Sequence, residues 1–399
     1  MQHYEFPIIE HIEDVLPAIA ERDEFVVVDR DYGRVINYHV NFADTFPNPA
    51  QAPDHATAQH WAMRRECRGL IFDTHGQLIS RAFHKFFNVN EKDETQVHAV
   101  DLSLPHVILE KLDGSMVRPV CMDAGRWRLG TKMGVTDVSN QAEAWVCDRQ
   151  PYINFINRMI AEQYTPIFEW CSRRQRIVID YPVDRLVLTA VRNNRTGTYV
   201  DLNQLDVDAG IELVREFAGT VENMQHLVEQ TCALTDQEGW VIRFANGHML
   251  KLKADLYVQI HKAKDRLTQE KNVIDMILQE QLDDVKAALP QEDRLRLDQY
   301  EQRFWMGIAA RTTVYQNLYQ DLVVDACAND RRRFALEMVP KLDCSHAAGI
   351  LFGMMDGKDT RSMVVDRIRK HLSSQTKVDQ ARPLWSNMAN WNYNFESDA

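Results

Sequence analysis

From about residue 24 to residue 260 the apolar positions come in short runs of strand length. Stretches at 26–28, 34–42, 69–72, 107–111, 116–121, 185–191 and 240–244 read as strands, because each is rich in β-branched and aromatic residues. Turn signals such as Thr74-His75-Gly76, Asn193-Asn194-Arg195-Thr196-Gly197 and Ala245-Asn246-Gly247 separate them. Near 139–160 and 209–230 the apolar spacing lengthens to three or four, which predicts interrupting helices. Strands broken by inserted helices point to an α+β domain on antiparallel sheets. After residue 262 the pattern changes. Val273, Ile274, Ile277, Leu278, Leu282, Val285 and Leu289 follow a 3.6-residue period, and further helical stretches are expected at 291–325, 330–339, 345–355 and 360–372. The junction falls near 260–268, giving an expected first domain of 1–264 and a helical second domain of 265–399. The last 17 residues, from Pro383 and rich in Trp and Asn, read as a docked tail or a frayed end.

With 399 residues, 45% hydrophobic and 26% charged, the chain has the proportions of folded globular protein and length for two or three domains. No apolar run approaches the ~18 residues that span a bilayer, and the N-terminus lacks the basic start and apolar stretch of a secretory signal. No membrane association and no export are expected. Seven widely spaced cysteines without a Cys-x-x-Cys pair argue against a disulfide framework or a four-cysteine zinc site. Cys344-Ser345-His346 is the one close Cys/His pair, and two further metal ligands are missing. Net charge is −12, but the acidity is concentrated: residues 1–50 carry 10 acidic and 3 basic groups, and residues 201–250 carry 9 and 2. The rest of the chain is nearly balanced, so a local basic groove is compatible with the overall charge.

The segment Ile108-Leu109-Glu110-Lys111-Leu112-Asp113-Gly114-Ser115 puts a lysine at the end of an apolar strand, directly before a tight turn. Taken alone this is an ordinary surface lysine. As a nucleophile its amine, with a free pKa of about 10.4, would need activation, which burial and nearby cations provide. No Walker-type glycine loop is present, so ATP, if used, must be held another way.

The company this segment keeps is specific. Upstream stand Glu66-Cys67-Arg68-Gly69-Leu70-Ile71-Phe72 and Phe83-His84-Lys85-Phe86-Phe87-Asn88-Val89-Asn90-Glu91. Downstream come Phe168-Glu169-Trp170, Arg176-Ile177-Val178, Glu238-Gly239-Trp240-Val241-Ile242 and Lys251-Leu252-Lys253-Ala254-Asp255-Leu256-Tyr257. This succession resembles the covalent nucleotidyltransferase superfamily of ATP-dependent ligases and capping enzymes, and within it the RNA ligase 1 family of the T-even phages. The likeness runs along the whole chain and is densest over 34–264; the stretches 44–64 and 201–236 follow it loosely.

The resemblance implies an α+β nucleotidyltransferase domain with ATP-grasp-like antiparallel sheets, followed by an all-α C-terminal domain that recognises RNA, tRNA in particular. It implies an ATP-dependent RNA ligase working in three steps. Lys111 takes AMP from ATP as a lysyl-AMP phosphoramidate. The AMP passes to an RNA 5′-phosphate, and a 3′-hydroxyl then displaces it. Phosphoryl transfers of this kind depend on charge neutralisation and in-line positioning. Lys251 and Lys253, two apart, would point to one face of a strand and aim two cations at the α-phosphate. Arg68 and Lys85 are matching upstream cations, with ordinary solvent exposure the other reading of Lys85; Phe87 is a candidate for adenine stacking or for core packing, and Tyr38 aligns with a family tyrosine at the nucleotide site or is a half-buried strand aromatic. Glu169 and Glu238 are carboxylates flanked by apolar residues, costly unless paired or metal-bound. Mg²⁺, with Mn²⁺ as a substitute, is the expected partner of both, and Glu169 has a ribose hydroxyl as its alternative. Asp283, in the pair Asp283-Asp284, matches a family acidic pair that touches metal; plain solvation is its other reading. RNA-backbone candidates are Arg126-Trp127-Arg128 with Lys132, Arg173-Arg174-Gln175-Arg176, Lys262-Ala263-Lys264 and Arg331-Arg332-Arg333.

Expected substrates are RNA ends bearing 5′-phosphate and 3′-hydroxyl groups, such as a nicked tRNA in RNA repair. A separate end-healing kinase or phosphatase is an expected partner, a monomer the expected state, and the cytoplasm of a bacterial host the expected location if the chain is phage-encoded. Two other readings stay open. A DNA ligase or capping enzyme would normally carry an oligonucleotide-binding barrel where this chain turns helical. An inactive RNA-clamping relative would have no need of Lys111, Glu169, Glu238, Lys251 and Lys253 together.

Overall fold

A computed structural model describes residues 5–391, apart from 123–124, 175, 220, 280, 288, 343–345 and 386–390. Cys344 and Ser345, and most of the tail beyond Pro383, lie outside the described residues. The chain divides into two compact units, one within residues 1–258 and one within 259–394.

In the first unit the strands run, in chain order, β1 (Phe25–Arg30), β2 (Gly33–Tyr38), β3 (Leu70–Phe72), β4 (Leu78–Ser80), β5 (Phe87–Asn88), β6 (His106–Lys111) and β7 (Ser115–Cys121). They continue as β8 (Trp127–Gly130), β9 (Tyr164–Cys171), β10 (Arg185–Asn193), β11 (Glu212–Leu213), β12 (Gly239–Phe244) and β13 (Met249–Lys253). Three sheets result, ordered β1-β2-β3-β4, β11-β10-β9-β7-β8 and β5-β13-β12-β6. Pairing is antiparallel except at the short edges β11 and β5. An α+β unit on antiparallel sheets, followed by a helical one, is the class expected from the pattern.

Helices α1 (Leu16–Ile19), α2 (His55–Glu66), α3 (Asp137–Val146), α4 (Gln150–Ala161) and α5 (Met224–Cys232) punctuate these sheets. Tyr152, Phe155, Ile156 and Met159 of α4 pack on Phe168, Leu186 and Leu188 of the five-stranded sheet and form its core. Two of these helices depart from the sequence pattern. α2 is not announced by it, because His55–Glu66 carries no apolar stripe; its start is set by Asp54, whose side chain accepts the Thr57 N–H at 2.8 Å. The helix expected over 209–230 shrinks to α5. Ahead of it, Ile211 and Val214 drop into one core and Phe217 into another, so the three-residue spacing belongs to an irregular segment that clips onto two sheets.

The second unit is helical. α6 (Asp255–Leu267) leads into it, followed by α7 (Glu270–Leu278), α8 (Leu282–Ala287) and the long α9 (Gln291–Leu318). After π-helical turns and the short α10 (Arg331–Arg333) come α11 (Ala347–Met355), α12 (Thr360–Arg369) and α13 (Gln375–Ala381). Buried Glu270 anchors α7 by an ion pair of 2.6 Å with Arg382 and a 2.7 Å bond from Tyr300. Among the described residues no helix is long and apolar enough to cross a membrane.

Candidate active site

β12 is the middle strand of a three-strand ladder, and its register builds the site. Gly239 pairs with Lys111 at the end of β6 on one side and with Lys253 at the end of β13 on the other. Glu238, the residue before Gly239, is therefore held between two lysines. Its Oε2 lies 2.7 Å from Lys111 Nζ and its Oε1 3.1 Å from Lys253 Nζ. Gly239 has φ of +141°, and a Cβ there would collide with the Leu252 carbonyl oxygen, so the position requires glycine. On β13 the alternation puts Leu250 and Leu252 into the core and turns Lys251 and Lys253 to the opposite face.

Lys111 is followed by a turn that the rest of the unit locks. The Asp113 carboxylate accepts the Val178 and Ile179 N–H groups, each at 2.7 Å, and the Tyr257 hydroxyl at 2.8 Å. The Asp113 N–H donates to the Tyr181 hydroxyl at 2.9 Å. Burial, with the Glu238 charge added, still raises the Asp113 carboxyl above its ordinary value despite those donors. A Cβ on Gly114 would meet the Trp170 carbonyl, so the turn can pass from one sheet to the other only as glycine.

Behind the turn lies a cavity of about 270 Å³, lined by Lys111, Lys251, Lys253, Arg68 and Glu169, with Phe83, Phe86 and Met116 supplying apolar wall. Glu169 comes from β9, opposite Met116 of β7. Burial pushes its carboxyl up to about 8, against the pull of Lys111 and with the push of Glu238. Burial likewise lowers the Lys251 amine to about 7, helped by Arg68, Lys111 and Lys85. Its Nζ stands 5.0 Å from the centre of the Phe86 ring. Lys251 is thus an amine that sheds its proton easily, and Lys111 sits in an ion pair.

Tyr38, Lys85 and Phe87 form a neighbouring group. Lys85 Nζ is 3.4 Å from the Tyr38 hydroxyl and 5.3 Å from the Phe87 ring centre. Burial raises the Tyr38 hydroxyl, but Lys85, Arg68 and Lys132 outweigh it and leave the group lowered. Phe87 is 2% exposed and belongs to the core of the first sheet; it is Phe86 that lines the cavity. Asp283 lies in the second unit, its side chain almost wholly exposed and 3.8 Å from Lys286. Among the described residues no three His, Cys, Asp or Glu side chains gather as a ready metal cluster.

Sequence reasoning passed over two kinds of residue. Asp113, Tyr181 and Tyr257 hold the Lys111 turn; two of them lie inside the quoted blocks, but only the fold connects them. Arg118 is completely buried on β7 and donates to the Gly69 carbonyl and, at 2.8 Å, to the Thr131 carbonyl. Burial and the nearby Arg68 bring its guanidinium down to about 9. It ties the Arg68-Gly69 turn to the Thr131-Lys132 loop, and a lone arginine on a strand carries no signal for that. Several of the basic runs prove to be paired: Arg128 with Glu143 at 2.6 Å, Arg176 with Asp180 at 3.4 Å, Lys264 with Asp293 at 3.3 Å, Arg331 with Asp356 at 2.5 Å and Arg333 with Glu337 at 3.1 Å.

A family model described as RNA ligase matches residues 66–257, the span that carries Arg68, Lys111, Glu169, Glu238 and Lys253. A putative RNA ligase of Thermovibrio ammonificans is 30% identical over 290 residues, covering 70% of this chain and 71% of that relative. A putative bifunctional polynucleotide kinase/RNA ligase of Autographa californica nuclear polyhedrosis virus is 27% identical over 246 residues, covering 56% of this chain and 35% of the viral one. Among solved structures, form 2 of an archaeal ATP-dependent RNA ligase aligns with a TM-score of 0.41 at 14% identity, over 63% of this chain and 64% of that one. The chain thus spans under two thirds of that structure and about a third of the viral relative.

Proposed function

This chain belongs to the RNA ligase family, and on that premise we propose that it seals RNA 5′-phosphate ends to 3′-hydroxyl ends at the expense of ATP, with Lys111 as the nucleophile. The observation that carries the reading is a lysine amine at a strand end, on a locked turn, opening into a cavity walled by Arg68, Lys251 and Lys253. Lys111 Nζ attacks the α-phosphorus of ATP; a P–N bond forms, the bond to the β-phosphate oxygen breaks, and pyrophosphate leaves. The proton that the ammonium must lose has Glu238 Oε2 at 2.7 Å as its nearest acceptor. Lys251 and Lys253 lie on the same face, and with ATP phosphates beside them to hold the Lys251 amine protonated they set positive charge where negative charge builds on the phosphate. An RNA 5′-phosphate oxygen then attacks the same phosphorus and frees the lysine. Last, a 3′-hydroxyl attacks the activated RNA phosphate and expels AMP.

A divalent ion fits these residues if substrate phosphates complete its shell, since Mg²⁺ uses one or two carboxylates with phosphate oxygens. Glu169 is the carboxyl placed for it, because it is buried on the cavity wall and among the described residues makes no ion pair. Glu238 becomes available once Lys111 has reacted. Bound there, Mg²⁺ or Mn²⁺ would neutralise phosphate charge. A part for Asp283 rests on the resemblance alone. The same holds for nicked tRNA as the physiological RNA and for RNA recognition by the helical unit. The kinase in the name of the viral relative fits an end-healing partner.

Incubation with radiolabelled ATP and Mg²⁺, followed by denaturing electrophoresis, tests the core of this reading. Label should attach covalently to the wild type, vanish in Lys111→Ala, and fall by ~10²-fold or more in Glu238→Ala and Lys251→Ala. Label that persists in Lys111→Ala removes the mechanism. A chase with RNA and with DNA ends separates the proposed substrate from a DNA ligase.

A further inference from the structure

Arg243 is a buried cation that no step at Lys111 employs. On β12 the side chains of Trp240, Ile242 and Phe244 enter the core, so Gly239, Val241 and Arg243 take the opposite face. The register sets three rungs on that face: Lys111-Gly239-Lys253, Leu109-Val241-Lys251 and Val107-Arg243-Met249. Four residues of strand put the arginine rung about 13 Å from the lysine rung. Lys111 and Lys253 from one end, Val241 and Lys251 from the middle, and Arg243 and Met249 from the other end line one cavity. The arginine is 9% exposed, and its Nη1 is buried without a hydrogen-bond partner among the described residues. Burial lowers its guanidinium below the ordinary value, and Tyr199, Asp201 and Glu216 oppose that only as nearby charges. The Asp201 and Glu216 carboxylates are engaged by Asn203, at 3.0 and 2.9 Å.

An arginine can only donate, so what completes this end of the cavity is an acceptor on the ligand. The two ends suit different parts of a nucleoside triphosphate. Pyrophosphate must leave toward solvent, and further cations for it, Lys85 and Lys132, stand at Tyr38 rather than beside Arg243. Phe83, Phe86, Val241 and Met249 give the cavity apolar wall for the flat faces of a base. We propose that Arg243 reads the adenine ring of ATP, its Nη1 donating to one of the ring nitrogens N1, N3 or N7 at the buried end of the cavity. The inference rests on the reading that ATP occupies this cavity with its α-phosphate at Lys111.

The test follows covalent labelling of the full-length chain over a concentration series of ATP and of its 1-deaza, 3-deaza and 7-deaza analogues, each of which replaces one ring nitrogen with C–H. In the wild type one analogue should need at least about tenfold more than ATP to half-saturate labelling, because it leaves the guanidinium unpaired. Arg243→Met should need about tenfold more ATP with the maximal labelling rate little changed, and should no longer tell that analogue from ATP. A merely structural role would weaken all four nucleotides alike and keep the wild-type preference. If Arg243→Met does not fold, Arg243→Lys, which keeps the charge and loses the planar fork, should narrow the same preference. A folded variant that keeps the full preference overturns the proposal. So does an Arg243→Met that takes label as the wild type does but fails to pass AMP to RNA, which assigns the guanidinium to RNA. A wild type that takes no label from ATP sinks the ligase reading; one labelled alike by ATP and all three analogues leaves that reading standing and removes only this one.

Discussion

Glu169 is held in the protonation state least natural to a carboxyl, and this has a measurable consequence. Burial raises it from an ordinary 4.5 to about 8, so between those values the folded protein keeps a proton that the unfolded chain has lost. Its contribution to stability is full below the lower value and is lost as pH rises toward the upper one. Lys251 has the opposite sign. Its amine is lowered from 10.5 to about 7, so in that window the unfolded chain binds more protons and stability rises with pH. Thermal melts from pH 5 to pH 7 therefore isolate Glu169 of the two, and Glu169→Gln should flatten the decline that this carboxyl imposes on the wild type over that range. An unchanged decline would show that Glu169 titrates normally. The identities of Lys111, Lys251 and Lys253 were legible in the sequence as motif residues. That Lys111 is ion-paired while Lys251 is the weakly basic amine was not, because burial and neighbouring charge are set by side chains far apart in the chain.

Between elements, two features hold the catalytic unit in register. Glu66, the last residue of α2, is completely buried and pairs with Arg81 at 3.0 Å and with Arg192 of β10 at 2.7 Å. Removing its charge takes the shared carboxylate from two buried guanidinium groups, so Glu66→Gln should cost ~3–5 kcal/mol in denaturant unfolding. Gly239 is the other feature. Gly239→Ala should push β13 away from β12, lower the melting temperature and abolish covalent labelling by ATP; labelling at the wild-type level would mean that the ladder tolerates a side chain there. Most strands were legible because apolar residues recur at strand spacing. The polar helix α2 and the clipped segment at 211–217 were not, since a capping aspartate and two separate cores shape them rather than a periodic stripe.

For the whole molecule, the cavity side chains and the residues locking the Lys111 turn all fall within the first unit. A fragment ending after Leu267, where α6 closes, should still take label from ATP on Lys111, while its affinity for nicked RNA should fall at least tenfold if the helical unit carries phosphate contacts. Loss of labelling in a folded fragment would mean that the second unit completes the nucleotide site.

The order of elements, the change from strand to helical periodicity near residue 260, and the lysine proposed as nucleophile with its companion blocks were determined by local pattern and motif, which a chain carries in its own spacing. Only the tertiary structure decided that Glu238 bridges Lys111 and Lys253 and that Phe86 rather than Phe87 faces the cavity. Each of these depends on which residues distant in sequence become neighbours, and charge pairing and desolvation exist only once they do.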